Sequence, residues 1–176
     1  PTKRIVCVSY ASDLSGKLAR DCRAVMNAHW YRQVFPKTVL SPEKNAELDF
    51  MTTQRGYRLS TSVGGVLTGR GGNMIIIDDP MKPDEALSEA RRRNVCDWFD
   101  NTLYTRLDDK RSDVIIIVMQ RLHLDDLVGH VIGKGEDWVR LDLPAMAEVD
   151  ESIQIGSTRF HFRRAGDLLQ PEREPR

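Results

Sequence analysis

MIIIDD, residues 74–79, is the stretch on which the reading of this chain turns. Met74–Ile77 is four consecutive apolar residues, mostly β-branched and too few to cover a helix. That composition predicts a strand buried on both faces, as strands of parallel sheets are. Asp78 and Asp79 follow at once, and Pro80 and Pro83 end the element. In a parallel sheet, ligands sit beyond the carboxyl ends of the strands, so residues just after an apolar run face whatever is bound. Two adjacent carboxylates there suit nucleotide hydrolysis: one holds Mg²⁺, directly or through its waters, and one orients and deprotonates the attacking water. We assign Asp78 to the metal and Asp79 to the water. The plain alternative is a pair of acids capping a turn before Pro80.

Working outward, Val114–Met119 (VIIIVM) is a second apolar run of the same kind, followed by Gln120 and Arg121. Those two would place amide and guanidinium donors along the same sheet edge, where Gln120 can hydrogen-bond a γ-phosphate or a water. Between the two runs, residues 84–107 predict the longest helix. Leu87, Ala90, Val95, Trp98, Phe99, Leu103 and Leu107 form its buried stripe, and Arg91–Arg93 lie largely outside it. Upstream, RIVCVSY (4–10) predicts a strand and residues 13–30 a helix capped by Ser12 or Asp13. Residues 31–50, with Pro36 and Pro42, are expected outside the sheet, and residues 57–68 to form a short hairpin around Gly64-Gly65. His123, Asp125 and Asp126 head a short helix, 125–132, where an N-cap arrangement outweighs a metal site. Trp138–Leu143 predicts a third strand; residues 145–176 are irregular, with a strand near 158–162 and a linker character. Strands alternating with helices give an α/β class with a mainly parallel sheet and flanking helices.

The whole chain is 176 residues with 40% apolar composition, enough for one domain with a core. Three cysteines without a paired spacing favour neither a disulfide framework nor zinc, and a reducing, intracellular setting fits. No apolar run approaches the roughly 18 residues of a membrane span, so no membrane partner is expected. Lys and Arg number 11 against 5 Asp and Glu in residues 1–73, and 15 against 21 in the remainder. That asymmetry permits a nucleic-acid- or phosphate-facing side early and a metal-facing side later, and solvated surface charge explains it as well.

Two loops remain. Gly69-Arg70-Gly71-Gly72 frees backbone amides and presents a planar charge, so Arg70 is a candidate arginine finger acting on a neighbouring subunit's nucleotide; a plain loop with an exposed arginine is the alternative. Ala11–Leu18 (ASDLSGKL) lies where a phosphate-cradling GxxxxGK[ST] loop would stand, but Leu18 replaces the metal-ligating hydroxyl and no further glycine loosens it.

Taken together, SYASDLSGKLARDCR (9–23), the run from Leu59 to His130 with its IIIDDP, EARRR, WFDNTL, VMQRLH and DDLVGH blocks, and RRAGDLLQPER (163–173) resemble successive blocks of phage terminase large subunits. The resemblance spans nearly the whole chain. It implies a P-loop NTPase fold of the ASCE type and an ATPase that translocates double-stranded DNA at a procapsid portal, with an RNase H-like nuclease domain after it. Under it Asp78 is the Walker B metal carboxylate and Asp79 the catalytic carboxylate, although many relatives carry Glu at the second place. Gln120 falls in the coupling motif and Arg121 beside it, both near the nucleotide, and Arg70 falls at the trans-acting arginine. ATP and Mg²⁺ are the implied cofactors.

The implied partners are the portal protein, the small terminase subunit and other large-subunit copies, in the cytoplasm of a bacterial host. Residues 1–144 then belong to the ATPase domain and 145–176 to the linker toward the nuclease. The Walker A segment is expected upstream of Pro1, which makes the chain an incomplete motor, inactive alone. The competing readings are a non-catalytic assembly or DNA-binding remnant, and a metal-dependent nuclease using Asp78 and Asp79 with Asp125 or Asp126.

Overall fold

A computed structural model describes residues 1–67 and 69–173. It divides into two compact units, Pro1–Glu136 and Asp137–Arg176, whereas the linker was expected to begin at residue 145.

The first unit is mixed α/β. Its elements are β1 (Arg4–Ser9), α1 (Ser12–Asn27), α2 (His29–Val34), β2 (Leu40–Asn45), β3 (Asp49–Thr52), β4 (Tyr57–Ser62), β5 (Met74–Asp78), α3 (Glu89–Trp98), β6 (Val114–Val118) and α4 (Leu127–Gly133). Six strands form one sheet in the order β2-β3-β4-β1-β5-β6. β4, β1, β5 and β6 run parallel, and β2 and β3 add antiparallel pairs at one side.

Register explains the core. Val6 lies beside Ile75 and Val8 beside Ile77, so these four side chains share one face of the sheet, and all are buried. Ala19 of α1, with Phe99, Leu103, Leu127 and Val131, is buried as well. Removing a side chain such as Ile75 to alanine costs about 2–5 kcal/mol in sites of this kind. On the opposite face Ile5, Cys7 and Ile76 are half-buried, while Val114, Ile116 and Val118 of β6 are exposed. The run 114–119 was read as buried on both faces; among the described residues β6 is instead the outermost strand, paired with β5 alone.

Several expectations are corrected. Residues 31–50 are not outside the sheet: β2 and β3 extend it, and Pro42 is tolerated because β2 is an edge strand with an irregular register. Residues 57–62 are one strand paired on both sides, not a hairpin arm, because Gly64 and Gly65 turn the chain away after Val63 instead of back along it. Thr68, the end of that expected hairpin, lies outside the described residues. α1 begins at Ser12 behind Ala11, so neither Ser12 nor Asp13 caps it. The helix expected over 84–107 is broken into α3, a π-helical turn (Phe99–Leu103) and two short 3-10 turns. Leu87 is exposed there, since it precedes the helix, and Arg92 is buried instead of wet.

In the second unit β7 (Glu151–Gln154) and β8 (Phe160–Arg163) form an antiparallel hairpin. Residues 138–143 carry no strand and Val139 is 98% exposed: alternating apolar residues make a strand only where a partner edge satisfies their amides. Among the described residues, no helix is long and apolar enough to cross a membrane.

Candidate functional site: the carboxyl edge of the parallel strands

Parallel pairing brings the carboxyl ends of β4, β1, β5 and β6 to one edge. Asp78 pairs in register with Val118, and Ser9 with Ser62. Asp78 is the last residue of β5 and half-buried; Asp79 follows it and is exposed. The Asp79 backbone is clamped between neighbours: its amide donates to the Val118 carbonyl at 2.9 Å, and its carbonyl accepts the Tyr10 amide at 3.0 Å. Asp79 adopts φ 45°, a left-handed conformation that aspartate tolerates better than most side chains. The turn thereby places two consecutive carboxylates at one edge, where ordinary strand geometry would send them to opposite faces.

Burial, and then the neighbouring charge of Asp79, push the Asp78 carboxyl above its ordinary range. A cation at this point would relieve both causes. Among the described residues no three His, Cys, Asp or Glu groups converge as a metal cage. One or two carboxylates fit Mg²⁺ held jointly with phosphates, the usual way that ion is bound, and do not fit an all-protein site. ATP itself would require a phosphate cradle. Ala11–Leu18 does not offer one: Ser12 to Leu18 are already helical, Gly16 is buried in α1, and Lys17 pairs with Asp21 at 2.6 Å.

Gln120 stands two residues past Val118 at the same edge and is exposed. Arg121 is committed to its own loop. Its Nε donates to Asp126 at 3.1 Å and its Nη2 to the carbonyls of His123 and Leu124. Asp126 is 1% exposed and caps α4, accepting the Gly129 amide on Oδ1 and the Leu122 and His123 amides on Oδ2. Gly129 is required at that point, because a Cβ there would lie 1.8 Å from the Leu124 carbonyl oxygen. The capping expected of this acidic cluster is present, and both Asp126 oxygens are engaged by these donors.

Arg70 is not at this edge. It stacks on Tyr57, the first residue of β4, with its guanidinium 4.8 Å from the ring centroid, and binds Asp49 through Nη1 at 2.8 Å and Nη2 at 3.1 Å. β4 runs parallel to β1 and β5, so Arg70 lies at their amino ends, a strand length or about 15 Å from Asp78. Within one chain it does not meet the acid pair.

Two contributors escaped the sequence reading. Tyr10 clamps Asp79 through its amide, which no side-chain pattern reveals. Lys82 lies 5.5 Å from the Tyr10 ring centroid, over the residue whose amide clamps Asp79; its position just after DDPM was the available signal. Of the EARRR block, Arg92 donates Nη1 to the Ala86 carbonyl at 2.7 Å, Arg93 pairs with Glu89, and Arg91 lies 4.0 Å from Glu85. No protein-family model matches this chain, and no curated protein sequence matches it.

Proposed function

We propose that this chain is part of the ATP-hydrolysing motor of a viral DNA-packaging terminase large subunit, with a P-loop NTPase fold of the ASCE type. The observation that carries the reading is the Asp78-Asp79 turn at the carboxyl edge of a parallel sheet, with Gln120 after the neighbouring strand. Asp78 would hold Mg²⁺, Asp79 would orient the attacking water and take its proton, and Gln120 would sense the γ-phosphate. Mg²⁺–ATP would supply the phosphoryl group and neutralise its charge. A second observation supports this: β6 is apolar on both faces yet, among the described residues, has an unpaired edge, which suits a sheet that continues by one more strand carrying the phosphate-binding loop. Double-stranded DNA, the portal, the small terminase subunit and further large-subunit copies are the partners under this reading, in the bacterial cytoplasm. Arg70 would act only across a subunit boundary.

The test is phosphate release from ATP with Mg²⁺, by this chain and by one extended upstream. Hydrolysis by the longer chain alone, abolished by Asp79→Asn, is expected. Hydrolysis by residues 1–176 that Lys17→Ala stops would overturn the assignment. So would plasmid cleavage that Asp78→Ala stops, which would make the site a metal-dependent nuclease.

A further inference from the structure

Asp49 faces two counter-ions where one would neutralise it. Arg70 donates Nη1 to its Oδ2 at 2.8 Å and Nη2 to its Oδ1 at 3.1 Å, and Lys44 reaches the same Oδ2 with Nζ at 2.6 Å. The carboxylate is largely buried, its side chain 20% exposed. The Tyr57 ring supports the guanidinium at 4.8 Å, and the Tyr57 hydroxyl donates to the Gly71 carbonyl just beyond it. After Arg70 the backbone is fixed: the Gly72 amide donates to the Arg106 carbonyl at 2.9 Å, and a Cβ on Gly71 would lie 2.6 Å from that same oxygen. Before it, Gly69 has φ 71° with open space beside its α-carbon.

The forked pair of donors with which Arg70 could grip a phosphate is taken up by Asp49. An arginine that acts on another copy's nucleotide must first leave this carboxylate. Leaving would ordinarily strand a largely buried charge, which is strongly disfavoured. Lys44 removes that obstacle, because its ammonium is a mobile point charge already on Oδ2 and neutralises Asp49 by itself. A phosphoryl group in transfer spreads charge over three equatorial oxygens, more than one carboxylate holds, and so draws the guanidinium more strongly.

We propose that Asp49 is a latch that holds Arg70 away from a neighbouring copy's nucleotide, and that Lys44 is the stand-in counter-ion that lets the latch open when a Mg²⁺–triphosphate is presented. This regulation rests on the nucleotide reading above: without a loaded neighbour, the arginine stays with Asp49. The two side chains act in opposite senses, Asp49 against release and Lys44 for it. In a purely structural cluster, removing either one would loosen Arg70.

Modification of Arg70 by phenylglyoxal, followed by mass spectrometry of its peptide in the full chain without nucleotide, tests the latch. Asp49→Asn should speed modification about fivefold, the population change that one such pair is worth, and Lys44→Met should slow it about twofold. Arg4, paired with Asp108 at the same end of the sheet, should react at its native rate in both variants, which separates release of Arg70 from unfolding. Slowing by Lys44→Met cannot come from unfolding at all. Equal rates in all three chains, or a faster reaction in both variants, would overturn the latch. Under the nucleotide reading, the upstream-extended chain should show a higher kcat with Asp49→Asn, a lower one with Lys44→Met and none with Arg70→Ala. Hydrolysis that Arg70→Ala abolishes but neither other variant alters would overturn the latch and leave the nucleotide reading intact. Absence of hydrolysis altogether would overturn that reading, and the modification rates would still decide whether Asp49 holds Arg70.

Discussion

Asp126 receives the Arg121 guanidinium at 3.1 Å on an oxygen that also accepts the Leu122 and His123 amides. One buried carboxylate therefore shapes the loop that follows β6 and starts α4. Removing it leaves three backbone amides and a guanidinium to find other acceptors. Asp126→Ala should cost about 3 kcal/mol in urea unfolding, combining a lost cap with lost charge-assisted bonds. Asp126→Asn should cost less, because its amide oxygen still accepts one of these donors. A loss under about 1 kcal/mol for the alanine variant would show that the loop is held otherwise.

Asp78 makes the opposite contribution. Burial and the Asp79 charge raise its carboxyl above the ordinary value, so between the unfolded and folded values the native chain binds more protons than the unfolded one. Stability from this group is therefore present at low pH and declines as pH rises through the folded value. Asp78→Asn should raise the Tm at pH 7 and change it little at pH 3, in thermal melts without Mg²⁺. An equal shift at both pH values would remove the electrostatic cause.

These two acids mark what could be read in advance. The apolar run before Asp78, and the Asp-led start of α4, are local patterns in which burial follows from composition and capping from one side chain. Both elements are present within a residue or two of where they were expected. The strand Leu40–Asn45 was not legible, because an edge strand with Pro42 and charged residues owes its existence to β3, not to its own pattern. The clamp on Asp79 was equally hidden: it joins backbone atoms of three strands, and pairing partners are not written in any one of them. Arg70 looked free because its partner, Asp49, lies 21 residues away on a strand that was not anticipated.

The Arg70 and Asp49 pair can be weighed directly. Burial opposes ionisation of Asp49, but hydrogen bonds from Arg70 and Lys44 outweigh it and hold the carboxyl below its ordinary value. The stability it contributes is present above the unfolded value and is lost as pH falls through the folded one. A double-mutant cycle of Arg70→Ala and Asp49→Ala should give a coupling of about 1 kcal/mol at pH 7, fading toward pH 2. Coupling that persists undiminished in acid would assign the interaction to packing on Tyr57.

Arg92 sets a different test. It is 8% exposed, its Nη1 holds the Ala86 carbonyl, its Nε is buried without an acceptor, and among the described residues no carboxylate faces it. A buried cation so placed costs desolvation that one backbone bond does not offset. Methionine fills similar space without the charge. Arg92→Met should therefore lie within about 1 kcal/mol of the native chain or above it, whereas Arg92→Ala, which also leaves a cavity, should lose about 2 kcal/mol. Urea unfolding of both variants separates packing from charge. A methionine variant that loses more than the alanine variant would mean that the guanidinium itself secures the 83–86 turn after the acid pair through its bond to the Ala86 carbonyl.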